Sequence, residues 1–100
     1  MTDGYLLNLR AFREVEDSKA QALEPLEEAA EAFGAWQQCD DYRDCRITAF
    51  RDELKRDLID ECIDVVQAVV NLLDAEEFTQ EDVDAAIGRC NARNRERGRL

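Results

Sequence analysis

The sequence predicts an all-α protein, an antiparallel helical bundle completed by association of identical chains. Three observations carry this. Only one proline, Pro25, and four glycines interrupt the 100 residues, which suits helices and disfavours a turn-rich β fold. Apolar residues recur at helical spacing in three separate segments. The central segment is apolar around most of its circumference, as a buried helix is, yet so short a chain has few elements to bury it with. A second subunit is therefore expected to cover part of it.

Each element has its own signals. One domain spans residues 1–100, and residues 1–17 form an N-terminal arm or a short helix. Leu6, Leu7, Leu9, Phe12 and Val15 suit a helix or an extended arm, with the balance towards helix. The first strong helix is expected over residues 18 to 38, with Ser18 as N-cap. Ala22, Leu23, Leu26, Ala29, Ala30, Phe33 and Trp36 supply its apolar positions. Pro25 either kinks this helix or opens a new one at its first position. Residues 39 to 46 lack periodicity and read as a loop. The second helix is expected over residues 48 to 74, with Cys62 read as a small core residue. The third begins after Thr79, where Thr79 and Asp82 nearly spell a capping box. Val83, Ala86, Ile87 and Cys90 form its apolar face, and Gly98 marks its end.

Composition excludes several functions. The net charge is −11, from 24 acidic and 13 basic residues, so a broad basic surface for nucleic acid polymers is not expected. An acidic chain can still bind phosphate through a divalent cation. Residues 89 to 100 stand apart, holding Arg89, Arg93, Arg95, Arg97 and Arg99 against Glu96 alone. Four cysteines without CxxC spacing, and no histidine, argue against a zinc site. No signal pattern or membrane-length apolar run is visible. The expected compartment is the reducing cytoplasm, with no membrane partner.

Two acidic groups carry the functional reading. Glu27, Glu28 and Glu31 lie on the first helix, and Asp60, Glu61 and Asp64 on the second. Glu28 and Glu31 share a face, as do Glu61 and Asp64, because residues three apart are neighbours on a helix. Antiparallel packing would bring these four carboxylates together. Such a cluster repels itself unless it holds a cation such as Mg²⁺, which prefers oxygen ligands and keeps waters for phosphates. Acidic pairs at this spacing also arise by chance here, Glu24/Glu27 and Asp57/Asp60 among them, and most such pairs form solvated faces. Asp64 differs in its apolar setting, on a polar strip of Asp57, Asp60, Glu61, Asp64, Gln67 and Asn71.

EExxE followed by ExxD on a long apolar helix resembles the signature of the MazG-like all-α nucleoside triphosphate pyrophosphohydrolases of the short phage and bacterial type. Glu27, Glu28 and Glu31 match the first element, and Glu61 and Asp64 the second. The run from Val65 to Leu73 is similar to the family's VNLA stretch, and Arg93 to Arg99 to its KNxxRGR ending, with Arg93 where lysine is usual. The resemblance covers roughly residues 19 to 99. The spacer between Glu31 and Glu61 is at the long end for the family, and Ala68 stands where some relatives place a bulkier polar residue.

The resemblance implies a homodimer or homotetramer that cleaves nucleoside triphosphates to the monophosphate and pyrophosphate. It implies Mg²⁺, with Mn²⁺ able to substitute, on Glu28, Glu31, Glu61 and Asp64. Glu28 is then both a ligand and part of the catalytic set. Glu27 either orients or deprotonates the attacking water, or supports the ligands from behind. Arg93, Asn94 and Arg97 would contact the β- and γ-phosphates, with Asn71 a further substrate contact. The arginines also suit a helix C-terminus without any ligand. Trp36 either stacks on a base or packs in the core or an interface, the latter favoured. Two other readings compete: a catalytically inactive helical oligomerisation or adaptor protein, and an acidic mimic of nucleic acid that blocks a basic partner.

Overall fold

A computed structural model describes residues 3–100, and every regular element among them is helical: α1 (Lys19–Asp41), α2 (Thr48–Ala75) and α3 (Gln80–Glu96). α1 and α2 form an antiparallel hairpin. Cys39, near the end of α1, meets Leu54 near the start of α2 through an Sγ–carbonyl contact of 3.4 Å. Glu28 and Glu31 face Glu61 further along.

The caps explain the boundaries. Ser18 Oγ accepts the Gln21 N–H at 3.1 Å, satisfying a donor that the first turn leaves free. α1 then runs unbroken through Pro25 and three residues beyond the expected end, so the proline neither restarts the helix nor divides it. At the start of α3, Thr79 Oγ1 accepts the Asp82 N–H at 3.2 Å, and the Asp82 carboxylate accepts the Thr79 N–H at 2.9 Å. This is a full reciprocal capping box, with aspartate doing glutamate's work.

Two helices end in the same way. After α2, the Phe78 N–H reaches the Leu73 carbonyl at 3.1 Å and the Glu77 N–H that of Asp74 at 2.9 Å. After α3, Arg99 and Gly98 repeat the pattern onto Asn94 and Arg95. Both are Schellman closures, which need a left-handed residue. Gly98 takes that conformation at φ 69°, whereas Glu77 takes it at φ 61° without glycine's freedom.

The expected helix over residues 5 to 17 does not form. Its described part is an arm without regular structure, running alongside α2 in the same direction. The Phe12 N–H donates to Asn71 Oδ1 at 2.9 Å, and Gln67 Nε2 donates to the Arg10 carbonyl at 2.8 Å and to Asn71 Oδ1 at 3.0 Å. Side-chain amides of α2 thus supply the arm's backbone with partners that a helix would have supplied internally. Asn71, only 1% exposed, is the most buried polar residue described.

Little else is buried. Among the described residues, Cys39 and Ala68 are the only buried apolar ones. α3 packs along neither α1 nor α2. Cys62 is exposed, contrary to its expected place in a core, because neither α1 nor the arm covers its side of α2. The radius of gyration is 16.5 Å, against about 13 Å for a compact domain of this length. No helix among the described residues is long and apolar enough to cross a membrane.

Candidate metal centre

The hairpin brings three of the expected carboxylates together. One oxygen each from Glu28, Glu31 and Glu61 lies within 4.8 Å of the others. The geometry follows from the helix: Glu28 and Glu31 project from one face of α1, and Glu61 projects from the facing side of α2. Glu61 Oε2 is buried and has no hydrogen-bond partner.

The electrostatics follow from this crowding. Desolvation raises the pKa of Glu28, reinforced by a hydrogen bond with Glu31 and by the charges of Glu31, Asp64 and Glu61. Desolvation also raises that of Glu61, followed by the charges of Glu31 and Asp64, a hydrogen bond with Glu31, and the charge of Asp57. Burial and like charge both disfavour the ionised form. A divalent cation would reverse both effects. The donor set fits Mg²⁺, being all carboxylate oxygen, and the orphaned Glu61 oxygen is an acceptor awaiting a partner.

Other expected residues fall differently. Asp64 is exposed and outside the three-oxygen cluster, though near enough for its charge to act on Glu28 and Glu61. Glu27 is exposed on the flank of α1. Trp36 stacks on Phe33, with ring centroids 5.9 Å apart and planes 14° apart, and remains 44% exposed. Asn71 is engaged by the arm. Arg93, Asn94 and Arg97 sit at the end of α3, which does not pack on the acidic hairpin within one protomer. Asn94 bonds locally, to Cys90 Sγ at 3.5 Å and to Arg99 at 3.3 Å.

An open groove of about 500 Å³ adjoins the cluster and shares Glu31 and Glu61 with it. Gly34 and Ala35 keep one wall low, and Gln38, Asp57 and Asp60 add polar groups; Trp36 is not among the lining residues. Sequence reasoning set Asp57 and Asp60 aside as a chance pair. The available signal was that Asp57 lies one turn before Glu61, on the face that meets α1. No family model, curated protein or solved structure matches the chain.

Proposed function

We propose that the protein is a Mg²⁺-dependent nucleoside triphosphate pyrophosphohydrolase of the MazG-like kind, acting on the α–β phosphoanhydride bond. The observation that carries this reading is the convergence of Glu28, Glu31 and Glu61 from facing helices, with one buried oxygen unpartnered. These three residues would hold the ion, and Asp64 would add a fourth carboxylate from one turn along α2. When bound, the ion neutralises phosphate charge and acidifies a water.

The chain's own residues do the rest. The groove beside the cluster receives the nucleoside, with Gln38, Asp57 and Asp60 offering hydrogen-bond partners to base and sugar. Glu27, exposed beside Glu28, accepts the proton of the attacking water. The water oxygen bonds to the α-phosphorus, the bond to the bridging oxygen breaks, and pyrophosphate leaves. Arg93, Asn94 and Arg97 contact the β- and γ-phosphates once α3 is brought to the cluster by assembly into a homodimer or homotetramer. The working compartment is the cytoplasm.

The test is pyrophosphate release from a panel of ribo- and deoxyribonucleoside triphosphates, with Mg²⁺ and with chelator, beside Glu61→Gln. Mg²⁺-dependent release that is lost in the variant is expected. No release by folded, Mg²⁺-loaded protein would assign the chain to the alternative, a catalytically inactive helical oligomerisation protein.

A further inference from the structure

The groove beside the acidic cluster has an order along its length. Glu31 and Glu61 lie at one end, shared with the cluster. Asp57 comes four residues before Glu61 on α2, about 6 Å along the helix axis. Gln38 and Leu54 close the far end, seven residues from Glu31 and Glu61 respectively, or about 10 Å. Because the helices run antiparallel, the two walls keep step, and Gly34 of α1 stands opposite Asp57 by the same count.

Gly34 is not there for the sake of the fold. Glycine weakens a helix interior, yet Gly34 has no positive φ, and a Cβ added to it would meet nothing within 4 Å. What its bare backbone does is keep the wall low across from Asp57. The Asp57 carboxylate faces this gap with both oxygens free, since no hydrogen bond or ion pair among the described residues engages it.

The chemistry of the walls sorts the parts of a nucleotide. With the α-phosphate at the ion, the ribose hydroxyls follow by a few bonds and fall at the level of Asp57. A carboxylate only accepts hydrogen bonds, and a vicinal diol offers it two donors side by side. Carboxylates hold the ribose of dinucleotides in this way. A deoxyribose presents a C–H pair where the 2′-hydroxyl would be, and leaves one Asp57 oxygen unmatched. Further along, the Gln38 amide both donates and accepts, so it suits the edge of any base.

We propose that the groove selects ribonucleoside over deoxyribonucleoside triphosphates, with Asp57 accepting hydrogen bonds from the 2′- and 3′-hydroxyls. This rests on the hydrolase reading for the position of the phosphates. The test is calorimetric titration in Mg²⁺ of α,β-methylene triphosphates, ribo and deoxy with the same base, whose carbon bridge allows binding to be read without hydrolysis. The ribo form is expected to bind about tenfold tighter, whichever base it carries. Asp57→Ala is expected to bring the two affinities together, and Asp57→Asn, which keeps one acceptor oxygen, to retain part of the difference. Gly34→Leu is expected to weaken both ligands while leaving the Mg²⁺-induced rise in melting temperature intact. Equal affinities in the wild type, no binding of either ligand, a preference that survives Asp57→Ala, or full binding by Gly34→Leu would each overturn the proposal. So would an Asp57→Ala variant that loses the Mg²⁺-induced rise, since Asp57 would then serve the ion. Ribose preference without hydrolysis of any natural triphosphate would sink the hydrolase reading alone, and hydrolysis without ribose preference would sink this proposal alone.

Discussion

At the scale of single residues, Glu61 and Asn71 show two ways of placing a polar group in an apolar helix. Asn71 is paired twice over, while one oxygen of Glu61 is left without a partner. Replacing Glu61 by glutamine removes one of several crowded charges, so the variant is expected to melt above the wild type in chelator. Millimolar Mg²⁺ is expected to raise the wild-type melting temperature by ~5 °C and to leave Glu61→Gln unmoved; differential scanning fluorimetry checks both. Asn71→Ala strands the Phe12 N–H, and a lost buried partner costs about 1–3 kcal/mol. Denaturant titration reads the loss, and amide exchange at Phe12 should accelerate because the arm is released.

The polar strip on α2 was legible in the sequence, but its division of labour was not. Helical spacing assigns residues to a face and is silent on what lies opposite. Asp57 and Glu61 turn to α1, whereas Gln67 and Asn71 turn to the arm. Asp64 shares the face of Glu61 by spacing, yet its side chain remains exposed outside the cluster. The three-carboxylate core could be read because both members of the Glu28/Glu31 pair and Glu61 depend only on helix geometry and antiparallel packing.

At the scale of elements, the capped ends of the helices were the most readable, although α1 runs three residues past its expected end. Ser18, Thr79 with Asp82, and Gly98 each act through a local hydrogen bond with the neighbouring backbone. The arm was not readable, because the apolar spacing of residues 6 to 15 suits a helix as well as an extended segment. The outcome depends on Gln67 and Asn71, more than fifty residues away.

The turn after α2 has a defect that glycine would repair. A left-handed residue with a side chain costs about 1–2 kcal/mol, so Glu77→Gly is expected to stabilise the protein by about 1 kcal/mol in urea titration, after glycine's own entropic cost. The cap of α3 sets an acid limit. Hydrogen bonds from the Thr79 backbone and hydroxyl hold the Asp82 carboxyl below its ordinary value of 3.8. The folded value is depressed, so the stabilisation is present above the unfolded value and is lost as pH falls through the folded one. Helical signal from α3 is therefore expected to decline below about pH 4, and Asp82→Asn should remove that step, as followed by amide chemical shifts of residues 80 to 84.

At the scale of the whole molecule, the sequence foretold incompleteness more clearly than shape. Only Cys39, Ala68 and Asn71 are buried among the described residues, so a helix apolar nearly all round is left largely uncovered within this chain. The expectation that Cys62 lies in a core failed because apolar periodicity marks a face without showing whether anything in the chain covers it. The separation of α3 from the hairpin was invisible for the same reason, since its apolar face reads alike whether its partner is near or absent.

That separation has a kinetic consequence. α1 and α2 are joined by a short turn, so their pairing closes a small loop and belongs to the fast regime of local helical contacts. α3 has no such partner within the chain, so in the proposed homo-oligomer its ordering waits for collision between chains. Refolding after dilution from denaturant is expected to show two phases. The first is independent of protein concentration and recovers most helical signal; the second accelerates in proportion to concentration and reports on α3.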